Sequence, residues 1–299
     1  MRFDTISFLS DYGTVDEFVG VVKSVVRSIA PQVQVLDLTH EIAPHDVRAG
    51  GLALARAAQY LCPGVVLAVV DPGVGGDRRA VAVEVGGGQS VLVGPDNGLL
   101  APAVAMCGGA TRAVELVNPA YQLPAPGPTF AGRDVFAPAA AHLCRGVPLG
   151  ELGPDLDLGS LWPGVVPLPR LAGGRLEAEV LWVDRFGNAQ LNLGPDDLEG
   201  WEDRLEVRAA GRSRVGRRAA TYGDVGPGEL GLVVDSYGLV SLALDRASAA
   251  DELALGPGDA VSLAPLEDDG DGAGRGVETE VHLGRRDGAP RPHDGEHGA

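Results

Sequence analysis

The chain has 299 residues, 45% of them apolar and 22% charged, enough for one large domain or two ordinary ones with separate cores. With 41 acidic against 24 basic side chains, the formal net charge is −17. An acidic surface of that size repels phosphate backbones and argues against a nucleic-acid partner. No apolar run approaches the ~18 to 20 residues a membrane helix needs, and Met1-Arg2-Phe3-Asp4 has no apolar signal core. Cys62, Cys107 and Cys144 are odd in number and widely spaced, which makes neither a disulfide framework nor a zinc pattern. A soluble cytoplasmic protein without a membrane partner is the expectation.

Along the chain, Thr5 to Leu9 reads as a strand. Glu17 to Ile29 reads as a helix with its apolar face on Phe18, Val22, Val25 and Ile29. Val33 to Leu38 is strand-like, Ala49 to Tyr60 helical, and Val65 to Val70 is a continuous apolar run expected of a strand covered on both faces. Ala80 to Val85 and Ser90 to Val93 are further strands, and Val135 to Leu143 is helical. This alternation predicts an α/β domain with a mostly parallel sheet over residues 1–162. Residues 163–174, rich in Pro and Gly, read as a linker. Beyond them, Leu176 to Val183, Arg204 to Ala209, Gly231 to Val234, Leu239 to Leu244 and Ala260 to Ala264 are short strands. They predict a small all-β, barrel-like domain over 175–266. From Glu267 to Ala299 there are nine acids, four arginines, eight glycines and few large apolar side chains, so 267–299 reads as a disordered acidic tail.

Ligands of open α/β sheets bind beyond the carboxyl ends of strands. Three polar, glycine-bearing clusters follow predicted strands in the first half: Ser10-Asp11-Tyr12-Gly13, Asp71-Pro72-Gly73-Val74-Gly75 and Gly94-Pro95-Asp96-Asn97-Gly98. Thr129-Phe130-Ala131-Gly132-Arg133-Asp134 precedes the last helix, and Asp184-Arg185-Phe186-Gly187-Asn188 ends a strand in the second half. Singly, each reads as a turn or a helix terminus. Together, carboxylates gathered at successive strand ends need a cation, metal or ligand among them. Two functions fit. One is a metal-dependent hydrolase using Asp11, Asp71, Asp96 or Asp134. The other is a pocket for a hydroxylated, cationic small molecule. No common metal spacing and no phosphate-binding loop appears. Lys23, inside a helix, is the only lysine, and Ser10 has no obvious base partner.

Taken with Thr39-His40-Glu41-Ile42, these motifs resemble, in order and spacing over residues 3 to 265, the S-adenosylmethionine hydroxide adenosyltransferases. Those enzymes are related to the S-adenosylmethionine-dependent fluorinases and chlorinases. The resemblance implies displacement of L-methionine from C5′ of S-adenosylmethionine by water or hydroxide, giving adenosine. It also implies no metal and no cofactor besides the substrate, and a homotrimer with active sites between neighbouring subunits. Asp11 matches the aspartate holding the ribose hydroxyls, and Asp71 and Arg78 match two members of an Asp-Arg-His water-activating set. Phe186 and Asn188 match the adenine site, Asp184 and Ser236 the amino-acid end of the substrate, and Phe130 a residue near the reacting centre. Tyr237, Trp182 and His45 fit a place near the purine or simple packing. Because Asp71 and Arg78 are kept, water is favoured over halide.

One position departs from the pattern. Where the family histidine stands, between Phe130 and Gly132, this chain has Ala131. Loss of a general acid–base group costs ~10²- to 10⁴-fold in rate. Three readings follow: a hydrolase relying on Asp71 and Arg78, a non-catalytic protein binding S-adenosylmethionine or adenosine, or an introduced change at position 131. His40 and His45 stand near the end of the second strand as candidate substitutes, and His142 sits mid-helix.

Overall fold

In the computed structural model, residues 2–266 are described; the tail expected at 267–299 lies outside them. The first half contains β1 (Thr5–Ser10), α1 (Phe18–Ile29), β2 (Gln34–Thr39), α2 (Val47–Ala58), β3 (Val65–Val69), β4 (Ala80–Val85), β5 (Ser90–Pro95), α3 (Ala101–Met106), β6 (Ala110–Glu115) and α4 (Ala137–Arg145). The strands form one sheet in the order β2-β1-β3-β5-β4-β6. β2, β1, β3 and β5 run parallel, and β4 is antiparallel to both its neighbours. The carboxyl ends of β1, β3 and β5 therefore share one edge, carrying Asp11, Asp71 and Asp96.

Side-chain alternation splits the core into two layers. Ile6, Phe8, Leu67, Val69, Val91 and Val93 face α1 and α4. Leu9, Val66, Ala68, Val70 and Leu92 face the other way, toward Leu54 of α2 and Ala103 of α3. Coverage of both faces explains the unbroken apolar run of β3. α1 buries Val19, Val22 and Val26, one register from the expected stripe. Val25 and Ile29 sit at its margin, and Phe18 turns toward Tyr12 and Phe130.

The second half contains β7 (Arg170–Ala172), β8 (Arg175–Val183), β9 (Ala189–Leu191), β10 (Arg204–Ala209), β11 (Arg212–Ala219), β12 (Leu230–Val234), β13 (Val240–Leu244), α5 (Ala249–Leu253) and β14 (Ala260–Pro265). The order β14-β10-β11-β12-β13-β9-β8 closes into a seven-stranded barrel through the β14–β8 pairing. Closure removes the free edges of an open sheet. β7 pairs with the first residues of β8. Leu176, Val180, Leu191, Leu205, Val207, Leu232, Leu242, Val261 and Leu263 fill the interior. Both halves belong to one compact unit ending at Pro265. α2 meets the barrel directly: Arg48 pairs with Glu179, and the Arg56 guanidinium lies 4.3 Å from the Trp182 ring.

Candidate active site

The segment between β3 and β4 arches back on itself through turn bonds from Val74 N–H to the Asp71 carbonyl and from Gly76 N–H to the Gly73 carbonyl. That returns Arg78 to Asp71. Arg78 Nε donates to Oδ1 (2.8 Å) and Oδ2 (3.0 Å), and Nη2 donates to Oδ2 (2.5 Å). The Asp71 side chain is only 6% exposed. A buried carboxylate of this kind is held by its charge-assisted partner. The guanidinium also stands 5.3 Å from the Phe136 ring.

Asp11 follows β1 on the same sheet edge, and its Oδ2 accepts from the His45 N–H (3.0 Å). His45 has a positive φ of 70° and is exposed, so its backbone, not its ring, meets Asp11. Phe130 packs edge-on against Phe18 (5.0 Å) and Tyr12 (5.6 Å). Ala131 and Gly132 open the helical segment that runs through Phe136 into α4. A side-chain carbon built on Gly132 would fall 2.2 Å from the Tyr12 hydroxyl, so glycine is needed there to admit that phenol. Burial first, then the carboxylates of Asp11 and Asp71, push the Tyr12 phenol well above the ordinary tyrosine range, against the opposing charge of Arg78.

Ser10 differs from its sequence reading, because it does have a base partner. Its Oγ lies 2.8 Å from His40 Nδ1, and His40 Nε2 lies 3.1 Å from Asp37 Oδ1. Ser10 is fully buried and His40 is 5% exposed. The chain of contacts pins the loop after β1: Ser10 Oγ accepts from Tyr12 N–H, and the His40 carbonyl accepts from Gly13 N–H. Both His40 nitrogens are thus engaged. His142 lies elsewhere, edge-on to Tyr121.

Asp96 and Asp134, offered as metal ligands in one reading, are each taken by an arginine. Arg79 donates twice to Asp96 Oδ2, whose partner oxygen accepts from Trp162 N–H, and Arg133 grips Asp134 with two bonds. Among the described residues, no three His, Cys, Asp or Glu side chains converge as a metal site.

The remaining residues singled out from sequence meet on the barrel. Trp182, Asp184, Phe186, Asn188, Ser236 and Tyr237 line a cavity of about 750 Å³, which none of Asp11, Asp71, Arg78, Phe130 or Ala131 lines. Asp184 closes its own turn, accepting from Phe186 N–H (2.8 Å), Asn188 N–H (2.9 Å) and Asn188 Nδ2 (2.8 Å). Gly187, at φ 83°, packs so closely on Ser248 that a side-chain carbon could not fit. The turn presents Phe186 at 78% exposure. A matching turn stands opposite: Asp235 Oδ1 accepts from Tyr237 and Leu239 N–H, and its Oδ2 accepts from Gln190 and Ser241. Sequence reasoning missed Asp235, although Asp184-x-x-Gly187 and Asp235-x-x-Gly238 share one spacing and both glycines have positive φ.

Two family models match the chain: the SAM hydroxide adenosyltransferase N-terminal domain over residues 6–153 and its C-terminal domain over 178–262. The chain belongs to the SAM hydroxide adenosyltransferase family. It is 46% identical over 254 residues to a protein of Salinispora tropica named (R)-S-adenosyl-L-methionine hydrolase, covering 85% of this chain and 95% of the relative. A Thermus thermophilus protein of the same name is 43% identical over 267 residues, 86% of this chain and 98% of that one. A fluorinase of an Actinoplanes species is 29% identical, over 82% and 92%. Among solved structures, an uncharacterized conserved protein from Thermotoga maritima superposes with a TM-score of 0.81 at 34% identity, covering 87% of this chain and 99% of that one.

As a SAM hydroxide adenosyltransferase, the chain carries its motifs in two groups. One lies on the carboxyl edge of the sheet, where Arg78 pairs with Asp71, the charges of Asp11, Asp71 and Arg78 act on Tyr12, and the Tyr12 phenol abuts Gly132. The other rims the barrel cavity.

Proposed function

We propose that this chain hydrolyses S-adenosyl-L-methionine to adenosine and L-methionine. The observation that carries the proposal is the buried Asp71–Arg78 pair on the sheet edge shared with Asp11, in a chain 46% identical to a protein named for that hydrolysis. Water oxygen bonds to C5′ while the C5′–S bond breaks, and its electron pair goes to sulfur. The sulfonium becomes the neutral thioether of methionine, and the water's proton passes by way of Asp71 to solvent. A neutral thioether leaves readily, so the protein's work is to align water with the C5′–S bond and exclude competing solvent. Nothing in that balance requires a metal or a redox cofactor.

Asp71 accepts from the water and Arg78, bonded to both of its carboxylate oxygens, holds it fixed. Asp11 accepts from the ribose hydroxyls, with the diol matching its two oxygens. Phe130 borders the reacting carbon. On the barrel side, Phe186 supplies an apolar face and Asn188 an amide for adenine. Asp184 and Ser236 serve the amino-acid end, and Tyr237 closes the pocket wall. In this reading residues 1–162 form the catalytic half, 163–174 join it to the nucleoside-binding half at 175–266, and the enzyme works in the cytoplasm as a homotrimer. Each site pairs one subunit's sheet edge with its neighbour's barrel. Exposed Phe186, Trp162, Val165 and Leu168 support subunit contact.

Incubation with S-adenosylmethionine in ¹⁸O-water tests the chemistry. Adenosine carrying ¹⁸O at its 5′ hydroxyl, with unlabelled methionine in equal amount, is expected. Methylthioadenosine or S-adenosylhomocysteine as the product would overturn it.

A further inference from the structure

The family resemblance implies a histidine at position 131, and this chain has alanine there. A hydroxyl from another element stands against Gly132, the next residue along the chain. Tyr12 follows Asp11 at the end of β1, with its ring set edge-on to Phe130 and tilted against Phe18. Its backbone is tethered through Ser10 Oγ to His40. The phenol therefore has little freedom, and it ends where a side chain on residue 132 would begin: 2.2 Å from the ideal carbon position for Oη and 3.1 Å for Cζ. Among the described residues, the hydroxyl donates to no protein acceptor and accepts from no donor. Asp11, Asp71 and Arg78 are all near enough for their charges to act on it. Held protonated by burial and by the two carboxylates, it offers a hydrogen across the neutral range. Asp71 can only accept.

We propose that the Tyr12 hydroxyl is a water-binding group of the hydrolytic site, donating to the attacking water from beside Gly132 while Asp71 accepts the water's proton. One lone pair of the water receives the Tyr12 hydrogen, and the other is left to attack C5′. The proposal rests on the hydrolase reading given above. It accounts for a chain that lacks the histidine at 131 yet keeps Asp71, Arg78 and a glycine at 132.

The test compares kcat and KM for S-adenosylmethionine in the full chain and three variants: Tyr12→Phe, Gly132→Ala, and Tyr12→Phe combined with Ala131→His. Phenylalanine keeps the ring packing and removes only the oxygen. Expected are a fall in kcat of about 10- to 100-fold for Tyr12→Phe, smaller than the loss of a whole acid–base group because Tyr12 positions the water while Asp71 takes its proton, with KM within twofold and an unchanged melting temperature. Ala131→His in that background should restore at least tenfold, which a packing role for Tyr12 does not predict. Gly132→Ala, which leaves the phenol intact but displaces its oxygen, should lower kcat similarly and covers the case in which Tyr12→Phe folds poorly. A kcat within twofold of the parent in both single variants would overturn the Tyr12 assignment and leave the hydrolase reading standing. Absence of turnover in every protein, parent included, would overturn both.

Discussion

Gly132→Ala should destabilise this protein only while Tyr12 is present. The added carbon would lie 2.2 Å from Tyr12 Oη, so the phenol or the segment entering α4 must shift. Overpacking of this kind costs about 1–3 kcal/mol. Gly132 does not have a positive φ, so alanine also stiffens the unfolded chain, a gain of about 0.4–1 kcal/mol. The net loss is about 1–2 kcal/mol, or roughly 5- to 30-fold in the folded-to-unfolded ratio. In Tyr12→Phe the offending oxygen is gone and the nearest atom becomes Cζ at 3.1 Å, which needs only a few tenths of an ångström of relief. There the same substitution should be neutral or slightly stabilising. Urea midpoints at one fixed protomer concentration give the four corners of the cycle, and a coupling of about 1–2 kcal/mol is expected between residues in direct contact. Equal midpoint shifts in both backgrounds would refute the placement of the phenol against Gly132.

Arg79→Met strands the Asp96 carboxylate, 4% exposed, and loosens the attachment of Trp162; breaking such a pair costs about 3 kcal/mol, read as a lower urea midpoint, with faster proteolysis near residue 162. In spectrophotometric titration, Tyr12 and Tyr222 should ionise above the ordinary tyrosine range, both chiefly from burial, and Tyr12→Phe should remove one of the late steps. Since the folded-state value is raised, the associated stability is present below the ordinary tyrosine range and lost as pH climbs past it. Asp37 is partly desolvated, which raises its pKa, but bonds from Lys23 and His40 outweigh that and lower it overall. Its contribution is present above the ordinary aspartate range and lost as pH falls through the lowered value, so Lys23→Ala should move acid unfolding to higher pH. The pair is well exposed, so its worth is under about 1 kcal/mol. If sites span subunits, Asp71→Asn and Phe186→Ala proteins, each inactive alone, should regain turnover after being mixed, unfolded and refolded together; no recovery would place each site within one chain.

Much of the architecture was legible because period and burial agree. The all-apolar run of β3 has no polar face to lose, and β10 matches its expected bounds from Arg204 to Ala209. β11 escaped notice because Arg212–Ala219 carries four arginines whose charges are met by residues far along the chain, including Glu229 and Glu252. β9 is three residues long, too short for any periodic signal. The stripe of α1 was misjudged by one residue because Phe18 and Val19 are equally apolar in sequence, and only the aromatic neighbours Tyr12 and Phe130 draw Phe18 aside. At the site, Asp71 and Arg78 are seven residues apart and readable as a motif. The Ser10–His40 contact spans 30 residues, and the closeness of Tyr12 to Gly132 spans far more; both depend on strand order, which composition does not encode. An aromatic beside an aspartate carries no signature of its own, so the motif around Tyr12 does not reveal its part.

In the proposed reaction Asp71, held by Arg78, directs water at C5′ of S-adenosylmethionine. The most direct test is to measure turnover by the full chain and by Asp71→Asn, following adenosine and methionine by chromatography and binding by calorimetry. Equimolar products are expected from the parent, with a loss of about 10²- to 10⁴-fold in Asp71→Asn while the substrate still binds. Equal turnover by both proteins, or binding by the parent without any product, would contradict it.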